Sequence, residues 1–221
     1  MSPLLTDPRS PLGKARILVV EGEDEFHLLI WMLEHMEIPG QIEIRPPYAD
    51  VAPLGEYLAM LVVASGIDTV THIGIMCDAE SREPASVRES VSSALASVFP
   101  GAPSVAANAE FVACPFEGRT VRVGAFIAPD GTSRGMLEDL CLSPSAVRES
   151  DATPCVDRYL DCLAEAGIVN PHWPKRRLHA YLAACDDPTL KLGEAGKAGY
   201  WHFDDPCWQP LKDFLKELAG G

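Results

Sequence analysis

Positive charge is scarce in this sequence: 18 lysines and arginines stand against 32 aspartates and glutamates, a formal net charge of -14 at pH 7. That balance argues against broad electrostatic adhesion to nucleic acid, which depends on Lys and Arg facing phosphates. It leaves room for an enzyme whose carboxylates gather around a cation, because a bound metal offsets part of the local negative charge. Contact with a polyanion then falls to a few local basic residues. Long apolar runs are missing too. None approaches the ~18 residues of a membrane span, and the first residues, Met1-Ser-Pro-Leu-Leu-Thr-Asp-Pro-Arg-Ser10, lack the charged-then-apolar order of a signal segment. No membrane partner is expected, and the cytoplasm is the expected compartment.

Metal motifs built on sulfur or imidazole are absent as well. The 7 cysteines are an odd number, lie mostly in apolar stretches and form no C-x-x-C pair. They read as small buried hydrophobes in a reducing compartment, not as a zinc site or a disulfide framework. The histidines form no H-E-x-x-H pattern, and none is expected to be a ligand. Gly193-Glu-Ala-Gly-Lys197 looks like a phosphate loop, but its spacing is short and Ala198 stands where a hydroxyl residue is needed. Intrinsic P-loop hydrolysis is excluded, which leaves nucleotide hydrolysis to a separate ATPase partner. Internal repeats and low-complexity tracts are lacking.

What the sequence does contain is an alternation. Residues 1–14, with Pro3, Pro8, Pro11 and Gly13, read as a loose leader. Ile17–Val20 is a short apolar run of the buried parallel type, and residues 25–37 follow with Phe26, Leu29, Ile30, Leu33 and Met36 at helical spacing. The cycle recurs as a strand over 42–45 and a helix over 54–64, then as a strand over 69–77 and a helix over 86–98. This rhythm implies an α/β fold with a largely parallel sheet flanked by helices. It breaks at 110–115 and 120–128, which are separated by too few residues for a parallel crossover and so form an antiparallel hairpin. Helices are expected over 136–142, 155–166, 175–184 and 208–218. The domain reading is a core over 15–130 and a helical extension over 131–221 packed on it as one globular unit.

The chemistry lies at strand ends. Glu21 follows the first strand directly and precedes Gly22, and Asp78 and Glu80 form a D-x-E pair just past the third. In an open parallel sheet, ligands bind outside the carboxyl ends of the strands, so these acids emerge along one edge. Three carboxylates suit magnesium, which takes a few protein oxygens and keeps waters and substrate oxygens for the rest. Glu23, Asp24 and Glu25 read as first-turn acids that complement a helix dipole. Asp130, Glu138 and Asp139 are a third acidic group after another strand end, placed either to hold a second metal or to favour the first turn of a helix. Lys175, Arg176 and Arg177 follow Pro174 in a first turn, where cations oppose the dipole unless an anion is near. Trp201 and Trp208 read as a hydrophobic clamp on the last helix, with base stacking as the other use.

A strand ending in Glu21-Gly22, followed after helix, strand and helix by a strand ending in Asp78-Ala-Glu80, resembles the TOPRIM domain of topoisomerases, primases and OLD-family nucleases. Val123-Gly-Ala-Phe-Ile-Ala-Pro-Asp130 with Gly135-Met-Leu-Glu138-Asp139 is similar to prokaryotic TOPRIM-like proteins of undefined activity. The resemblance spans most of the chain and departs at Glu80, where Asp is commoner. It implies a TOPRIM-like (Rossmann-like) sheet with metal-dependent phosphodiester chemistry on DNA or RNA, using Mg2+ or Mn2+. Glu21 would match the first-motif glutamate, as acid, base or ligand, and Asp78 and Glu80 the second-motif pair. By the same resemblance Asp130, Glu138 and Asp139 would supply a second acidic cluster, and Lys175 the lysine that assists the metal. A catalytically silent TOPRIM-like module, binding metal or a basic protein partner, is the other reading.

Overall fold

The computed structural model describes residues 9–168 and 172–220. Five strands, β1 (Arg16–Val20), β2 (Glu43–Ile44), β3 (His72–Asp78), β4 (Phe111–Phe116) and β5 (Arg119–Ala128), form a sheet in the order β2-β1-β3-β5-β4. All neighbours are parallel except β4, which runs antiparallel to β5 at one edge and carries Pro115. The other edge, β2, is 2 residues long. The predicted hairpin is present, closed by Glu117 and Gly118. Both have positive φ, 48° and 77°, the backbone of a type I′ turn.

The period of two along a strand divides the hydrophobic core into two layers. Leu18, Val20, Met76 and Phe126 face one side, under α1 (Glu23–His35), α8 (Leu192–Lys197) and α9 (Gln209–Ala219). Ile17, Val19, Ile73, Ile75 and Val123 face the other, under α2 (Leu54–Leu61) and α3 (Pro84–Val98). Helices thus cover both faces of an α/β sheet, as the alternation implies. In α1 the buried residues Leu28, Leu29, Met32 and Leu33 form the stripe that faces the sheet. α9 lies close enough that a Cβ on Gly74, in the middle of β3, would meet Leu218 at 2.8 Å and Phe214 at 3.0 Å. Glycine is what lets the helix sit down on the strand.

Beyond β5 the chain runs through α4 (Leu137–Cys141), α5 (Ser145–Arg148), α6 (Ala152–Glu165) and α7 (Trp173–Leu182) before α8 and α9. α5 and α8 fall where the sequence pattern announces no helix. The strand expected from Thr69 starts instead at His72, because Ile67–Thr69 forms a 3-10 turn first. The first eight residues of the expected leader lie outside the described residues. After them, Leu12 is buried with its N–H donating to the Ser65 carbonyl at 2.7 Å, and the Ser10 hydroxyl accepts from Arg45 at 2.7 Å. Trp201 and Trp208 are wholly buried. Trp201 Nε1 donates to the Leu192 carbonyl and Trp208 Nε1 to the Trp201 carbonyl, each at 2.8 Å, which fastens α8 to the chain entering α9. Among the described residues no helix is long and apolar enough to cross a membrane.

Candidate functional site

β1 and β3 lie side by side with Val20 opposite Met76, so their carboxyl ends open on the same edge. Glu21 follows β1 and Asp78 closes β3. The Asp78 N–H donates to Glu21 Oε2 at 3.0 Å, and the Leu137 N–H, at the start of α4, donates to Asp78 Oδ1 at 3.0 Å. Tyr48, buried beyond β2, lies near enough to Glu21 that the carboxylate's charge adds to the burial that raises its hydroxyl's pKa. The two strand-end acids are therefore held by backbone contacts.

Further acids come from neighbouring elements, Glu23 and Asp24 of α1 among them. Glu25, in the first turn of α1, accepts the Gly22 N–H at 3.1 Å and is 5% exposed. Glu138 in α4 is 3% exposed and pairs with Lys175 of α7 at 3.6 Å. Glu80 has an exposed side chain and a positive φ of 52°. Its backbone is clamped to Gly135 by two hydrogen bonds of 2.6 and 2.9 Å. Glu21, Asp24, Glu25, Asp78, Glu80 and Glu138 all line one cleft of about 460 Å³, together with Lys175, His179 and Lys191.

Burial and like charge act together there. Burial pushes Glu25 up to about 7, helped by the charges of Glu21, Glu138 and Asp24 and opposed by its backbone hydrogen bond. Burial likewise lifts Asp78 well above the usual carboxylate range, with Glu25, Glu138 and Glu21 adding to it and the Leu137 N–H opposing. Glu138 is raised by burial and by Asp24, against the pull of Lys175. Burial would lower the Lys175 ammonium, but Glu138, Asp24, Glu25 and Asp78 overbalance it and hold its pKa above the ordinary value. Carboxyls that oppose one another's ionisation in a concave site create a potential that a cation relieves. Every acidic donor is a hard oxygen, a set suited to Mg2+ or Mn2+. As the side chains lie, no group of three or more His, Cys, Asp or Glu among the described residues is close enough to hold an ion. The donor chemistry fits such a metal, while the present spacing of the carboxylates does not form a ready site.

The remaining predicted acids are placed elsewhere. Asp130 is exposed after β5 and turns on its own loop, its Oδ1 accepting the N–H groups of Thr132 and Ser133 at 2.7 Å each. Slight burial would raise its pKa, but these bonds hold it below the usual carboxylate value. Asp139 accepts the Met136 N–H at 3.0 Å, capping α4, and lines an adjoining cavity with Asp157 and Arg177. The third acidic group is thus divided: Glu138 joins Glu21, Asp78, Glu80 and Lys175 in the cleft, while Asp130 and Asp139 make local hydrogen bonds outside its lining. Glu25, Asp24, Lys191 and His179 enter the cleft although the sequence reading gave them no place there. For Glu25 the signal was present, because it precedes Leu28 and Leu29 by three and four positions and so shares their buried face.

Comparison with known proteins adds a family. The sequence model of DUF3226, described as a protein of unknown function, matches residues 15–220. No curated protein matches the chain. Among solved structures, the C-terminal region of the Xanthomonas campestris pv. campestris OLD protein is similar, with a TM-score of 0.46 at 13% sequence identity, over 93% of this chain and 96% of that one.

Proposed function

The chain belongs to the DUF3226 family, and we propose that it is a metal-dependent phosphodiester-cleaving enzyme acting on nucleic acid. One observation carries the reading: acids ending two adjacent parallel strands, Glu21 and Asp78, meet over a hydrogen bond and share a cleft with buried Glu25 and Glu138. Glu21, Asp78, Glu80 and Glu138 are the residues that would hold Mg2+ or Mn2+. When bound, such an ion supplies neutralisation of phosphoryl charge and acidification of water.

The chain's own residues do the rest. Glu25, raised to about 7, carries or accepts a proton at its carboxyl near neutral pH, the range in which general acid–base catalysis is most effective. Lys175, kept cationic by the surrounding acids, presents its ammonium to a phosphate oxygen and steadies Glu138. The Asp78 N–H fixes the Glu21 carboxylate, so its position does not depend on substrate. The net charge of -14, with no preassembled three-acid site among the described residues, favours a second reading, a catalytically silent metal-binding or regulatory module.

Calorimetric titration of Mg2+ and Mn2+ into wild type, Glu21→Gln and Asp78→Asn, with cleavage assays on supercoiled DNA, single-stranded DNA and RNA, separates the two. Wild type is expected to bind metal and cleave at least one substrate. Each variant is expected to lose about 10²-fold or more in rate with an unchanged circular dichroism spectrum. Metal binding with no cleavage establishes the silent module; cleavage equal in all three proteins overturns the site.

A further inference from the structure

A second cavity, of about 640 Å³, shares Lys175 and His179 with the acidic cleft. Its wall is α7, which contributes Lys175, Arg176 and His179 after His172 at its N-cap, and α6 contributes Tyr159. Positions 172, 175, 176, 179, 180 and 183 recur at helical spacing, so they form one face of α7. Leu178, Tyr181 and Leu182 form the buried face. None of the residues lining the cavity is acidic, in a chain where acids outnumber lysines and arginines by 32 to 18.

Two side chains on this wall point to a ligand. The Arg176 guanidinium stacks over the Trp173 ring at 5.3 Å and lines the cavity, with no carboxylate paired to it among the described residues. Its neighbour Arg177 shows the contrast, donating to both carboxylate oxygens of Asp157 at 2.9 and 3.1 Å. A guanidinium lining a cavity without acids suits an oxyanion, and phosphate matches the arginine fork. Tyr159 is a large aromatic left 51% exposed on the same wall. An exposed ring beside cations is how proteins grip unpaired bases and their backbone together. A duplex presents a dense array of phosphates that so few cations cannot match. Cavities of ~300–1,000 Å³ take compact ligands of drug size, so this one takes a nucleotide or two at a time.

We propose that the α6–α7 groove is a binding track for single-stranded nucleic acid, with Lys175 and Arg176 on backbone phosphates and a base stacked on Tyr159. Its placement beside the acids would lead the strand into the cleft. That last step rests on the phosphodiester reading above; the binding does not.

The test is fluorescence anisotropy of end-labelled oligo(dT) and oligo(rU), about 15 nucleotides long, with the full chain in EDTA at low salt, so that nothing is cut. Arg176→Ala is expected to weaken binding by about 10-fold and to flatten the plot of log affinity against log salt by about 0.7. Tyr159→Ala is expected to cost about 5- to 10-fold on a base-bearing oligomer and nothing on an abasic one of equal length. Its side chain is half exposed, so the core survives its loss. Lys216→Ala, which removes a positive charge from α9 outside both cavities, should bind like wild type. A preference between the two oligomers assigns the track to DNA or RNA. Absence of binding to both, or equal losses in Lys216→Ala and Arg176→Ala, overturns the track. If wild type cleaves nucleic acid while Arg176 and Tyr159 prove irrelevant to binding, the track fails and the phosphodiesterase stands. If both residues matter and no substrate is cut, the phosphodiesterase fails and the track stands.

Discussion

Glu25 is a carboxyl whose folded pKa is raised from 4.5 to about 7, and its linkage to stability has a definite sign. Below about pH 4.5 it is protonated whether folded or not, and its neutral form suits the buried site. Between 4.5 and 7 the folded chain binds the extra proton, so the favourable contribution is lost as pH rises through that window. Glu25→Gln keeps an acceptor for the Gly22 N–H and removes the charge. It is expected to be more stable than wild type by about 1–3 kcal/mol at pH 8 and to match it near pH 4.5, measured by urea unfolding across pH. A variant less stable by the same amount at every pH would show that Glu25 does not carry this charge strain. The same residue marks the limit of what sequence discloses. Glu21 and Asp78 were legible because each ends an apolar strand run, a strictly local signal. The helical period places Glu25 on the buried face of α1, but one of the charges that raise it with burial, Glu138, comes from far along the chain. Asp130, Glu138 and Asp139 look alike in sequence and part company only when the Thr132, Ser133 and Met136 N–H groups choose their acceptors.

Among elements, α8 explains a motif that resembles something else. Gly193-Glu-Ala-Gly-Lys197 is helical, and its first glycine is where α8 meets α1: a Cβ there would stand 2.2 Å from the His27 Cβ and 3.3 Å from His27 backbone atoms. Gly193→Ala is expected to pry the two helices apart and cost about 1–3 kcal/mol. At Gly196 the nearest atoms to such a Cβ are 3.4–3.7 Å away. Gly196→Ala should therefore be neutral, or gain up to about 1 kcal/mol from helix propensity. Chemical denaturation of both variants decides it, and the reverse order would refute the close approach. The long elements were readable for a plain reason. β1, β3, α1 and α3 carry enough apolar residues at one period to declare themselves, and the short link at Glu117-Gly118 forces the hairpin. α5 and α8, of 4 and 6 residues, are shorter than two full turns and have no period to show. They exist because tertiary contacts hold them.

Across the whole molecule, negative charge is both a cost to stability and a means of selecting a ligand. A divalent ion that binds the folded cleft and not the unfolded chain adds stability by mass action, about 1.4 kcal/mol at ten times its Kd. For a chain of this length that raises Tm by roughly 3–6 °C. MgCl2 is expected to give this rise in wild type at pH 7.5, NaCl of equal ionic strength to give less, and Asp78→Asn to respond to both salts alike. Identical responses to both salts in wild type would mean general screening and no site. The sheet's margins have a consequence of another kind. It begins with a strand of 2 residues and ends on one interrupted by Pro115, which has no N–H to offer. Both borders therefore discourage strand addition, β2 by its length and β4 by the N–H missing at Pro115.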